Sequence, residues 1–152
     1  LRLTRGTHDF LTAQYYFHNR FKFPRKVHLG DKPINDLGWE IYPKGIYNIL
    51  KELAEYNLPI YITENGLADA FDDQRLDFIR DHLLWIHRAI AEGVDVRGYF
   101  YWSLLDNFEW DKGFWPRFGL VGVDYEDQER IVRKSALFYA EICKNNALEI
   151  KG

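Results

Sequence analysis

The stretch Pro59-Ile60-Tyr61-Ile62-Thr63-Glu64-Asn65-Gly66 decides how this chain is read. A short apolar, β-branched run leads straight into Asn-Gly, the pattern of a buried strand that ends in a turn. A helical run precedes it, in which Pro43 opens PKGIYNILKELAEYN with Ile46, Ile49, Leu50 and Leu53 on one face. Proline suits a helix start because its missing N–H would be unpaired there anyway. A second helical pattern follows, with Leu76, Ile79, Leu83, Ile86 and Ile90 at steps of three and four. Asp72 or Asp73 is placed to cap that helix and Gly93 to end it.

Further out, 9–17 (DFLTAQYYF) and 96–104 (VRGYFYWSL) have strand length and composition. Residues 18–42 are irregular, with Pro24, Gly30 and Pro33, and long connections of this kind are often functional. An aromatic-acidic loop over 106–118, a hairpin around 124–129 and a closing helix over 134–145 complete the chain. Strands alternating with helices imply βαβ units and a parallel sheet, an α/β fold. Two architectures fit, an open doubly wound sheet or part of a (β/α)8 barrel. No Gly-rich phosphate loop follows any strand, which weakens the nucleotide-binding version. Three strand-helix units fall short of a barrel of about 250 residues, so a barrel reading makes this chain a fragment. The start at Leu1 and the lack of any methionine fit a piece of a longer polypeptide.

With 152 residues, 47% of them hydrophobic and 28% charged, the chain can build one sizeable core, so 1–152 is read as part of a single domain. The net charge of −3 comes from interleaved acids and bases, which excludes the basic block expected of a nucleic-acid or anionic-lipid binder. No apolar run approaches the roughly 18 residues of a membrane span. The lone Cys143 cannot form an internal disulfide; it is expected to be a small buried helix residue, and a cytoplasmic location fits. The five histidines are read as surface or packing residues, and neither a metal nor another cofactor is expected.

Glu64 stands just past the end of a buried parallel strand, where barrel enzymes place catalytic groups. Its plainer reading is a carboxylate that caps a turn. The block Trp102-Ser103-Leu104-Leu105-Asp106-Asn107-Phe108-Glu109-Trp110 weighs against that. Sugars present apolar C–H faces and rings of hydroxyls, so their sites need flat aromatic platforms beside carboxylates that accept hydroxyl hydrogen bonds. Glu109 and Trp110, with Trp102 behind them, supply both.

ITENG (62–66), WSLLDNFEW (102–110) and RFGLVGVDY (117–125), in that order, resemble the signatures of glycoside hydrolase family 1, the β-glucosidases, β-galactosidases and 6-phospho-β-glycosidases. The resemblance runs from DFLTAQYYF to the closing RKSALFYAEI. It implies a (β/α)8 TIM barrel of which this chain is the C-terminal portion, strands six to eight with their helices, the N-terminal part being absent. It also implies a retaining β-glycosidase with Glu64 as nucleophile and Tyr16 as the tyrosine whose hydroxyl hydrogen-bonds it. Trp102, Glu109 and Trp110 match positions that hold the sugar, Glu109 and Trp110 at its outer hydroxyls, and Phe118 an aromatic near the same subsite. A non-proline cis peptide is implied at Trp102-Ser103. The first strand departs from the family pattern DFxGxNYY: Thr12 replaces a glycine, and Gln14 replaces an asparagine near the nucleophile.

A retaining glycosidase needs a second carboxyl, which this family carries in an Asn-Glu-Pro motif after strand four. That motif does not occur here, and Glu40 in GWEIYP matches a structural segment, a poor substitute. The chain alone is therefore expected to be nearly inactive. Its expected partners are a β-glycoside or oligosaccharide substrate and either an N-terminal barrel half or a further copy of itself. A different class remains open, a non-catalytic half-barrel that self-associates or binds ligand; a receptor-type pseudo-glycosidase fits less well, because Glu64 and the sugar-binding block are both present.

Overall fold

A computed structural model describes residues 6–22, 25–26 and 31–149. Three parallel strands form the central sheet: β1 (Leu11–Gln14), β4 (Ile60–Asn65) and β5 (Val96–Tyr101), in the order β1-β4-β5. Between β1 and the first helix lies a small antiparallel pair, β2 (Phe21–Lys22) with β3 (Arg25–Lys26), inside the connection expected to be irregular. Pro24 and Gly30 of that connection, and His28, lie outside the described residues. The helices are α1 (Lys44–Leu53), α2 (Arg75–Ala91) and α3 (Lys134–Asn145), and β6 (Val121–Val123) pairs with β7 (Arg130–Val132) as the expected hairpin. None of the described helices is long and apolar enough to cross a membrane.

The middle strand is apolar because both of its edges are paired and one face is roofed by helices. Ile60 and Ile62 are fully buried and share a core with Ala13, Tyr15, Ile46, Leu50, Ile86, Ala89 and Val94, where α1 and α2 pack on the sheet. A second core joins Leu67, Phe78, Ile79, Tyr101 and Leu120 to the inner face of α3. Among the described residues, no helix covers the opposite face of the sheet. Phe10 and Phe100 are about half exposed there, at 51% and 57%.

Three local expectations are corrected. Asn65-Gly66 is not a turn. Asn65 ends β4, and its side chain laces three strands together: Nδ2 donates to the Tyr15 carbonyl at 2.6 Å and Oδ1 accepts from the Tyr99 hydroxyl at 2.9 Å. Gly66 is required by a close approach, since a Cβ there would lie 1.8 Å from the Trp102 carbonyl oxygen. Cys143 is exposed, because the inner face of α3 is made by Ser135, Phe138, Tyr139 and Ile142, and Cys143 falls one step round from it.

The cap of α2 also differs. Asp69 accepts from the backbone N–H of Asp73, Gln74 and Arg75, at 3.3, 2.9 and 3.0 Å. Asp72 instead caps the distant α3, accepting from Ser135 N at 3.0 Å and Ser135 Oγ at 2.6 Å. It also pairs with Arg75, whose side chain is fully buried. Burial pushes the Asp72 carboxyl up, but the Ser135 and Arg75 hydrogen bonds hold it below the usual range. Asp72→Ala leaves a buried guanidinium short of a partner and α3 uncapped. It is expected to cost about 3 kcal/mol or more in urea unfolding, against less than about 1 kcal/mol for Asp73→Ala.

His82 is fully buried between Tyr15 and Phe78. Its Nδ1 lies 2.8 Å from the Phe78 carbonyl, an acceptor, so Nδ1 carries the proton. Nε2 has no partner among the described residues. Burial pushes the imidazole pKa down to about 4, against a smaller opposing effect of the Phe78 carbonyl. The folded state thus requires neutral His82, whereas the unfolded chain protonates it near pH 6.5. Stability from this group is complete above about pH 6.5 and falls as the pH drops toward 4. Between pH 7 and pH 5 the loss is about 2 kcal/mol, and His82→Leu should flatten that part of the stability–pH curve.

Candidate active site

The C-terminal ends of the three strands converge on Glu64. In β1 the pairing register shifts between Ala13 and Gln14, which brings Gln14 opposite Glu64. Tyr15 N then donates to the Glu64 carbonyl at 3.0 Å, so Tyr15 turns into the core and Tyr16 faces the other way. The Tyr16 hydroxyl donates to Glu64 Oε2 at 2.6 Å. Burial, then the hydrogen bond to Glu64 and the charges of Glu64 and Glu109, raise the Tyr16 pKa far above its ordinary value. Tyr16 therefore stays a donor, and it fixes the direction of a carboxylate that is only half-buried.

β5 supplies the opposite wall. Trp102 N donates to the Asn65 carbonyl at 2.9 Å, and the chain leaves the sheet through a cis peptide at Trp102-Ser103. Glu109 follows on the loop. Burial, then the negative charges of Glu64 and Asp111, push its carboxyl up. Trp110 is 80% exposed at the rim. Phe118 is buried and meets Tyr16 edge-on, with ring centroids 6.1 Å apart. Gln14 is exposed beside Glu64.

Trp39 belongs to the same wall, although the GWEIYP segment that contains it reads from sequence as structural. It is edge-on to Tyr16 at 6.2 Å, lies 6.3 Å from Phe118 and stacks on Phe17 at 4.5 Å. Its one signal is a tryptophan inside a long connection, and only tertiary contact with Tyr16 gives that signal a meaning. Its neighbour Glu40 is buried and held by Arg20 Nε and Nη2, at 2.9 and 2.8 Å, and by His18 Nε2 at 2.8 Å. The Arg20 guanidinium keeps Glu40 ionised, well below the usual carboxylate range, so it has no proton to give. Among the described residues, no group of three or more His, Cys, Asp or Glu side chains is placed to hold a metal ion.

A half-buried carboxylate at a strand end, bound by a tyrosine, with a second carboxylate nearby and aromatic rings around it, is suited to attack on a sugar carbon. The model of glycosyl hydrolase family 1 matches residues 5–148. The chain belongs to glycosyl hydrolase family 1. Beta-glucosidase A of Thermotoga maritima is 47% identical over 93% of the chain and 35% of its own length. A beta-galactosidase of Sulfolobus acidocaldarius is 49% identical over 79% of the chain and 25% of its own length. The solved structure of the beta-glucosidase from Thermotoga maritima in complex with galacto-hydroximolactam superposes with a TM-score of 0.89. It is 45% identical and is matched over 93% of this chain and 36% of that one. This family 1 chain thus spans about a third of the length of the Thermotoga maritima relative.

Proposed function

We propose that the chain forms the C-terminal part of a (β/α)8 barrel, strands six to eight, and carries the nucleophile of a retaining β-glycosidase. The observation that carries this reading is the 2.6 Å hydrogen bond from Tyr16 to Glu64 at the end of the central strand, with Glu109 near enough to feel the Glu64 charge. Glu64 attacks the anomeric carbon and the leaving oxygen departs; water then releases the sugar from the covalent glycosyl-enzyme. Tyr16 orients the attacking carboxylate. Glu109 and Trp110 take the outer hydroxyls of the sugar, Trp102 offers a flat face, Phe118 backs Tyr16, and Gln14 borders the nucleophile. The substrate class is an unphosphorylated β-glucoside or β-galactoside, in keeping with the names of the Thermotoga and Sulfolobus relatives. The exposed free thiol of Cys143 suits a reducing, cytoplasmic location.

The leaving group must be protonated by a carboxyl from elsewhere, because Glu40 is committed to Arg20 and His18. An N-terminal barrel half is the natural donor. The sheet face with the half-exposed Phe10 and Phe100, and the outer edges of β1 and β5, unpaired among the described residues, support such a partner. The same open face supports a second reading, a non-catalytic half-barrel that associates with itself. Hydrolysis of an aryl β-glucoside, measured for this chain alone and after addition of an N-terminal half bearing the Asn-Glu-Pro glutamate, separates the two.

A further inference from the structure

We infer that Asp106 is a positioning residue for sugar recognition, holding the loop that carries Glu109 and Trp110 through a two-arginine clamp. Asp106 is buried at the point where the chain leaves Trp102-Ser103. Its carboxylate meets Arg133 two-pronged, with Nη1 to Oδ1 at 3.0 Å and Nη2 to Oδ2 at 3.1 Å. Arg117 Nη1 approaches Oδ2 at 3.4 Å. Two backbone donors complete the set, Gly119 N at 2.8 Å and Val123 N at 3.3 Å. Bidentate guanidinium–carboxylate pairs fix geometry as well as charge.

The clamp reaches the site on two sides. Gly119 follows Phe118, which backs Tyr16, and Glu109 lies three residues after Asp106. The loop tip has little burial of its own, with Phe108 and Trp110 exposed at 55% and 80%. Beside its own backbone hydrogen bonds, such as Glu109 N to the Gly113 carbonyl at 2.7 Å, it is supported by a run of ring contacts that ends on the clamp: Phe108 meets Phe114 edge-on at 5.2 Å, Phe114 meets Tyr125 at 4.7 Å, and Arg117 lies over the Tyr125 ring at 4.5 Å. The Tyr125 hydroxyl also approaches the Asn107 carbonyl at 3.4 Å. Asp106 and its arginines thus anchor both ends of the segment that carries Glu109.

The inference rests on the reading of Glu109 as the residue that binds outer sugar hydroxyls. It is tested in the assembled enzyme, this chain with its N-terminal barrel half, on an aryl β-glucoside and an aryl β-xyloside, which lacks the hydroxymethyl group. Asp106→Asn should lower kcat/KM on the glucoside about tenfold to a hundredfold, chiefly through KM, and act less on the xyloside, so the preference for glucoside shrinks. Glu109→Gln should shrink the same preference, and the double variant should show less than the product of the two effects. Arg133→Lys keeps the charge but loses the two-pronged contact, and it carries the same comparison if Asp106→Asn does not fold. Equal losses on both sugars in folded Asp106 and Arg133 variants overturn the inference while leaving the reading of Glu109 intact. An unchanged preference in Glu109→Gln instead removes the reading beneath it.

Discussion

Glu64→Ala in the assembled barrel is expected to lower kcat on an aryl β-glucoside by a factor on the order of 10⁴ or more. Removing the carboxylate removes the bond-forming partner of the anomeric carbon, so no rearrangement of Tyr16 or Glu109 compensates. The carboxylate accepts a short hydrogen bond from Tyr16 and sits half-buried, so its loss leaves a small space open to the sugar's underside. A small external nucleophile such as azide should enter that space, restore turnover of the activated glucoside and give the glycosyl azide of inverted, α configuration. A 2-fluoro glycoside with a good leaving group should label Glu64 in the unmodified enzyme. Labelling of another carboxylate, or a Glu64→Ala variant with ordinary turnover and no azide effect, would refute the assignment.

The second large effect is the expected dependence of activity on a carboxyl supplied by an N-terminal barrel half. General acid–base assistance is worth about 10²–10⁴-fold, so the chain alone should fall at least that far below its mixture with an N-terminal half. The size of the gap depends on the leaving group. A nitrophenolate departs with little protonation and should show the smaller difference; an alkoxide needs the proton and should show the larger one. Light scattering of the mixture reads assembly independently of turnover. A one-to-one complex that hydrolyses neither substrate would leave the non-catalytic half-barrel as the correct description.

Much of the site is legible in the sequence. A carboxylate after an apolar strand, and paired acids with tryptophans after another, carry a chemical meaning that depends on side-chain type and order along the chain. Tyr16, Glu64, Glu109 and the cis bond at Trp102-Ser103 all fall at positions that sequence motifs single out. What stays hidden depends on pairs far apart in sequence. Trp39 reads as a loop aromatic until Tyr16 and Phe118 are placed against it. Asp106 reads as one more acid in a sugar-binding block until Arg133, from the start of another helix, forks onto it.

The sequence by itself determined the order of the three parallel strands and the three helices, because periodicity is a local property, and the likeness of ITENG to a family signature singled out the candidate nucleophile; the β2–β3 pair left no such pattern. Tertiary structure alone decided what the turn-like signals are for. Asp72 is spaced to cap the helix beside it and instead caps one about sixty residues on, and Asn65-Gly66 looks like a turn and instead laces three strands and lets Trp102 pass. A carboxylate or an amide is satisfied by whichever donors folding brings within about 3 Å, and no local pattern states which those are.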